Sequence, residues 1–179
     1  MTERVDQPSS SAPLEIERTY LLSAMPPLPA GHRAVRIEQG YLPDPAPGAQ
    51  EVVEGRLRRK VDAEGRVTCF HTVKRGEGLV RTEVERAIDE AELARLWPAT
   101  AGRRLSKTRY LVSEGSLTWE IDRFDGWALV LAEVELPSVD AEAPLPAWLL
   151  PYVVRDVTED PAYRNYQLAL RLGRGEGPP

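Results

Sequence analysis

The sequence predicts an α+β domain organised around a closed, eight-stranded antiparallel β-barrel, a tunnel with a few flanking helices. Two observations carry that expectation. Charged residues recur in i, i+2 pairs at Glu15/Glu17, Arg56/Arg58, Glu83/Glu85, Lys107/Arg109, Glu120/Asp122 and Glu133/Glu135, each with a mostly apolar residue between. Successive side chains of a strand point to opposite faces, so each pair marks one charged and one apolar face. Glycine turn signals at Glu64-Gly65, Gly76 to Gly78, Glu114-Gly115 and Asp125-Gly126 separate these stretches, as in antiparallel meanders rather than crossovers. One such strand is an ordinary wet surface. Six of them suggest a shared charged interior, and about eight strands suffice to close a barrel.

The elements follow in order. Residues 1–13 are polar, with a Ser-Ser-Ser run, and read as a disordered leader before a single domain over 14–172. The first strand, over 14–22, puts Glu15 and Glu17 on one face and Leu14 and Ile16 on the other. Pro26, Pro27 and Pro29 then interrupt regular structure, and a second strand follows over 34–42, whose inward face the pattern does not assign. After a mobile loop over 43–49, the strand over 51–60 sets Arg56, Arg58 and Lys60 on one side of Leu57. The strand over 66–74 carries Val67, Cys69, His71 and Val73 on one face, with Thr68, Phe70, Thr72 and Lys74 on the other. Arg81, Glu83 and Glu85 alternate with Val80, Thr82 and Val84 in the strand over 79–88.

A short helix over 89–97, with Asp89 as N-cap and Pro98 as stop, divides the strands into two halves. The second meander runs over 103–112, 116–124 and 128–136. Residues 141–150 suggest a helical turn or two. A final helix over 161–172 follows Asp160 as N-cap, with Pro161 at its first position. Residues 173–179 read as a disordered tail.

At 179 residues the chain is one domain that buries a core without staples. A formal net charge of −5 argues against a general nucleic-acid binder. Apolar runs are too short for a signal-peptide core or a membrane span, and the single cysteine, Cys69, excludes an internal disulfide, so a cytoplasmic monomer or homodimer without a membrane partner is expected. His32 and His71 form no metal-ligand spacing.

With one face of every strand assigned by the pairs, the lining holds Glu15, Glu17, Glu83, Glu85, Glu120, Asp122, Glu133 and Glu135 with Arg56, Arg58, Lys74, Lys107 and Arg109. Unpaired ions in a dry interior cost several kcal/mol each, so such a lumen is wet, mutually paired or filled by ions and ligand. Carboxylates suit hard cations such as Mg²⁺ or Mn²⁺, while Arg and Lys bind phosphate oxygens. A ligand that needs both is a metal-bound polyphosphate. Periodicity alone leaves open the opposite arrangement, in which the charges form a solvated exterior. Cys69 and His71 fall on the apolar side and read as structural.

The chain resembles the CYTH domain family, the triphosphate tunnel metalloenzymes, from Leu14 to about Leu172. The resemblance rests on an ordered set: E-I-E-R at Glu15 to Arg18, Q-G-Y-L at Gln39 to Leu42, R-L-R-R at Arg56 to Arg59, T-V-K at Thr72 to Lys74, R-T-E-V-E at Arg81 to Glu85, K-T-R-Y at Lys107 to Tyr110, W-E-I-D-R-F at Trp119 to Phe124, A-E-V-E-L at Ala132 to Leu136 and V-T-E-D-P-A-Y-R-N at Val157 to Asn165. It implies an eight-stranded tunnel in which a small triphosphate is hydrolysed, either inorganic triphosphate or an organic one such as thiamine triphosphate, with a class IV type adenylate cyclase as a further reading. It further implies Arg56, Arg58, Lys74, Lys107 and Arg109 as substrate ligands, Glu15, Glu17, Glu85 and Asp122 as catalytic acids, and Glu15, Glu17, Asp122, Glu133 and Glu135 as ligands of Mg²⁺ or Mn²⁺. The roles of Glu83, Glu120, Lys60 and Arg81 stay open. The family's first-strand signature is E-x-E-x-K, and here the lysine position holds Thr19. That departure raises the alternative of a module that binds triphosphate or polyphosphate without turnover.

Overall fold

The structure, a computed structural model, describes residues 16–43, 53–75, 82–138 and 140–179, without the side chains of residues 53–54, 74–75 and 82–83. Glu15, Arg81, the expected loop beyond Pro43 and the Gly76 to Gly78 turn lie outside the described residues. Nine strands form one sheet in the order β5-β4-β3-β2-β6-β7-β8-β1-β9. They are β1 (Ile16–Leu22), β2 (Arg33–Tyr41), β3 (Val53–Val61), β4 (Val67–Arg75), β5 (Thr82–Ile88), β6 (Arg104–Glu114), β7 (Leu117–Phe124), β8 (Val130–Leu136) and β9 (Val153–Asp156). Every ladder is antiparallel. Among the described residues two α-helices accompany them, α1 (Glu90–Leu96) and α2 (Asn165–Gly173).

The sheet is open, which corrects the expected closed eight-stranded barrel. Closure requires the outer edge of β1 to meet β5, and that edge is already taken. β9 pairs with it at Tyr20↔Asp156, Leu21↔Arg155 and Leu22↔Val153. The ladder is extended by the Thr19 N–H donating to Thr158 Oγ1 at 3.0 Å and the Val157 N–H donating to the Thr19 carbonyl at 2.8 Å. β5 and β9 are therefore the two edges. The expected charged lining survives as one face of a curled sheet, a trough. Arg58 on β3 lies within electrostatic reach of Arg109 on β6, and Lys60 within reach of Glu120 on β7.

The opposite face carries the larger apolar cluster, with Tyr20, Leu22, Val112, Trp119, Ile121, Val130, Ala132 and Val134 packed under Leu149. Burial of this kind contributes about 25 cal/mol per Å² of apolar surface and is what holds the sheet. On the same face, α1 lays Leu93 against Leu57 and Cys69, after the Asp89 carboxylate accepts the Glu92 N–H at 2.6 Å and so satisfies one free donor of the first turn. Gly40 has no room for a side chain, because a Cβ there would stand 2.5 Å from Thr100 Oγ1.

Helix α2 crosses to the charged side. It packs Leu168 and Ala169 on Tyr41, Leu105, Phe124 and Leu131, closing one end of the trough with an apolar plug. The single helix expected over 161–172 is two pieces, a 3-10 turn at Pro161–Tyr163 and then α2, separated by Arg164 in extended conformation (φ −66°, ψ 136°). The break buries Tyr163 and brings Asn165 to Lys107. After α2 the chain folds back, with Trp127 Nε1 donating to the Glu176 carbonyl at 3.2 Å and the Tyr163 hydroxyl to the Pro179 carbonyl at 3.3 Å. No helix among the described residues is long and apolar enough to cross a membrane.

Candidate active site

Parity and register define the trough. In an antiparallel ladder, directly opposed residues share a face, and the pairs Arg109↔Asp122, Glu120↔Glu133, Glu133↔Thr19 and Glu135↔Glu17 join β6, β7, β8 and β1 into one wall. Arg109 is its centre. Its Nε donates to Asp122 Oδ1 at 2.7 Å and its Nη2 to Oδ2 at 2.6 Å, a two-pronged grip. The same guanidinium donates to Glu120 and to Glu133. Lys107 Nζ donates to Asp122 and to Asn165 Oδ1, the latter at 3.0 Å, and lies 5.2 Å from the Phe124 ring centre. Lys107 is 2% exposed and Asp122 fully buried.

Electrostatics follow from this geometry. Burial opposes ionisation of Asp122, but Lys107 and Arg109 outweigh it and hold its carboxyl below the usual range. Burial raises Glu133, and the charge of Asp122 adds to that. Glu17 opens to solvent at the trough surface while protein crowds its other sides. That desolvation, with Glu133 as neighbour, lifts its carboxyl to about 8. The only hydrogen bond to its side chain among the described residues comes from the Thr19 hydroxyl at 3.3 Å.

The second wall, β3 to β5, is differently made. Arg56 Nη2 donates to Thr72 Oγ1 at 3.2 Å and lies 3.5 Å from Glu85 Oε2, which also accepts the Thr72 hydroxyl at 2.7 Å. Arg58 makes neither a hydrogen bond nor an ion pair among the described residues, and its Nε is buried without a partner. Burial and the neighbouring Arg56 and Arg109 push its guanidinium down to about 10. Lys60 lies with its ammonium 5.0 Å from the Phe70 ring centre. Between the walls, the middle and end of β2 are uncharged on this face: Ile37 faces Lys60 and Lys107, Gln39 faces Arg58, and Tyr41 faces Arg56, while Arg33 of the same parity is exposed at the start of the strand. Gln39 Nε2 donates to the Tyr41 hydroxyl at 2.9 Å.

The structure thus brings Glu17, Arg56, Arg58, Glu85, Lys107, Arg109, Asp122 and Glu133 onto one face, with exposed Glu135 opposite Glu17. The Lys74 and Glu83 backbones oppose each other across β4 and β5, their side chains lying outside the description. Arg18, of opposite parity, reaches Asp156 at 3.9 Å instead. Gln39, Tyr41, Thr72 and Asn165 also belong to the site; each lies in one of the motifs that carry the family resemblance, but none had been given a role. Thr72 shares the parity of Lys74 and was findable; the contact of Asn165 with Lys107 joins segments far apart in the chain and has no local signal.

No three His, Cys, Asp or Glu side chains among the described residues converge on one point as a metal site. The donor set nonetheless has the right chemistry. Glu133 lies close enough to Glu17 to raise its proton affinity, and clustered carboxylate oxygens are donors that suit a hard divalent cation.

A charged face with excess acid on one wall and, among the described residues, an unpartnered arginine on the other has the chemistry of a site for an anion rich in oxygen atoms. No family model matches the chain. It is similar to an inorganic triphosphatase of Nitrosomonas europaea, 40% identical over 163 residues that cover 88% of this chain and 98% of that protein. An inorganic triphosphatase of Acetivibrio thermocellus is 41% identical over 66 residues, 36% of this chain and 40% of that protein. A crystal structure of an inorganic triphosphatase superposes with a TM-score of 0.61 at 38% identity, covering 87% of this chain and 94% of that one. The chain belongs to the family of CYTH-domain triphosphatases.

Proposed function

We propose that this protein hydrolyses inorganic triphosphate, bound in the open trough between the two walls and assisted by a divalent metal. The observation that carries the reading is the asymmetry of charge. Arg58 is a half-buried guanidinium whose buried Nε has no acceptor among the described residues, and it shares a face with Glu17, a carboxylate that makes no ion pair among the described residues and is crowded by Glu133.

Arg58 supplies two-pronged hydrogen bonding to phosphate oxygens, and Arg56, oriented by Thr72 and Glu85, supplies a second guanidinium beside it. Asp122 fixes Arg109 and Lys107, so the far wall presents a shaped, preorganised surface rather than mobile charges. Glu17, Glu133 and Glu135, with Glu15 from its place in the sequence, are the residues that would hold Mg²⁺ or Mn²⁺. When bound, such a cation neutralises phosphoryl charge and makes water a better nucleophile. Lys74, from its place in the sequence, would extend the cationic wall.

Both curated relatives are named inorganic triphosphatase, which favours inorganic triphosphate over thiamine triphosphate and gives the cyclase reading no added support. The test is phosphate release from inorganic triphosphate, thiamine triphosphate and ATP by purified protein, with Mg²⁺, Mn²⁺ or a chelator. Metal-dependent release, fastest on inorganic triphosphate, is expected. Calorimetric binding without release under any metal would instead establish the non-catalytic module that Thr19 raises.

A further inference from the structure

The cations of β3 sort by face. On the outer face, Arg59 is held by two carboxylates, Glu38 at 3.5 Å and Glu90 at 3.4 Å. On the trough face, Arg58 and Lys60 have no carboxylate within ion-pair distance among the described residues. For Lys60 the reason lies in the register. Its direct neighbours are Ile37 on β2 and Thr68 on β4, neither charged, so the cross-strand ion pair that ordinarily neutralises a strand lysine is not available. Its one close partner among the described residues is the face of Phe70, itself opposite Arg58. A cation held over a ring is positioned without being neutralised. Lys60 is also half-buried beside Arg58, so two like charges are kept together on one wall at an electrostatic cost.

We propose that Lys60 is a further substrate-binding residue, which with Arg58 forms the unpaired cationic strip that takes the phosphate oxygens of the triphosphate. The assignment rests on the triphosphatase reading. It also explains how a chain with neutral Thr19 on the acidic wall keeps enough positive charge in the trough: the extra cation stands on the opposite wall, at the mouth away from the α2 plug. Phe70 holds the ammonium in place, so little side-chain entropy is lost when phosphate arrives.

The experiment compares wild type, Lys60→Gln, Lys60→Arg and Arg59→Gln for triphosphate binding by calorimetry and for kcat and KM with saturating Mg²⁺. One charge-assisted contact predicts a rise of about tenfold to a hundredfold in Kd and KM for Lys60→Gln, with a smaller change in kcat and an unchanged ligand-free Tm. Lys60→Arg should restore most of the affinity, and Arg59→Gln should keep wild-type KM. If Lys60→Gln binds and turns over triphosphate as wild type does, or loses only Tm and kcat at constant KM, the assignment is overturned while the triphosphatase reading stands. A wild-type protein that neither binds nor hydrolyses triphosphate overturns both.

Discussion

The two walls of the trough hold similar residue types to different ends. On the β6 to β8 wall, Lys107 and Arg109 are both engaged by Asp122, and Arg109 also by Glu120 and Glu133. Every cation there is spent within the protein. On the β3 wall, among the described residues, Arg58 and Lys60 are left over, and only Arg56 touches a carboxylate, at the limit of ion-pair distance. A buried pair costs desolvation that its attraction barely repays, so its value is geometric: it fixes where groups point. Unpaired buried cations have no such return in the free protein, and their return comes with an anionic ligand. The closed network is thus scaffold and the open strip is binding surface, although strand parity alone makes them look alike.

The largest break in this comparison should come from Asp122→Asn, which strands two buried cations with less counter-charge. Losing one partner of such a network costs about 3–5 kcal/mol, read as a lower midpoint in chemical denaturation; an unchanged midpoint would mean the network is not structural. The sign with pH is consistent. Asp122 has a depressed carboxyl, so its contribution is present above the ordinary carboxylate range and is lost as acid protonates it.

Arg58→Gln should act in the opposite sense. Loss of one preorganised electrostatic contact predicts a fall of about a hundredfold in kcat/KM on triphosphate, with ligand-free stability equal or higher because an unpaired cation leaves the interior. Lower stability with intact turnover would exchange the roles assigned to the two walls.

The smallest effect concerns Glu17. Its folded-state carboxyl titrates at about 8 against an ordinary 4.5, so the folded protein holds a proton that the unfolded chain releases. Metal-free stability should therefore decline as pH rises between those values. Thr19→Lys sets an ammonium beside Glu17 and opposite Glu133. That lowers the Glu17 value and flattens the decline, seen as Tm against pH in the presence of a chelator. A flat wild-type profile would contradict the crowding of these carboxylates.

Much of this was readable from residue order. The charged i, i+2 pairs at Arg56/Arg58, Lys107/Arg109, Glu120/Asp122 and Glu133/Glu135 do share one face, because period-two alternation is a local property that the ladders preserve. Asp89 and Pro98 bracket the first helix for equally local reasons. What escaped is long-range. β9 is four residues long, too short for a periodic signal, yet by covering β1 it decides between an open sheet and a barrel. β2 alternates Ile37, Gln39 and Tyr41 with Glu38 and Gly40, a pattern with no clear apolar side, and only its neighbours in the register assign its face. The division of cations into spent and unspent also depends on contacts between distant segments, of which Lys107 with Asn165 is the clearest.

The most direct test of the spent and unspent distinction is the shift in thermal midpoint on adding saturating triphosphate and Mg²⁺ to wild type and to Arg58→Gln. A ligand that binds only the folded state raises Tm by mass action, by about 2.7 kcal/mol of stability at a hundred times its Kd. The account predicts a clear upward shift for wild type, and for Arg58→Gln a much smaller shift from a ligand-free Tm no lower than that of wild type. Equal shifts in the two proteins at that same triphosphate concentration would contradict it.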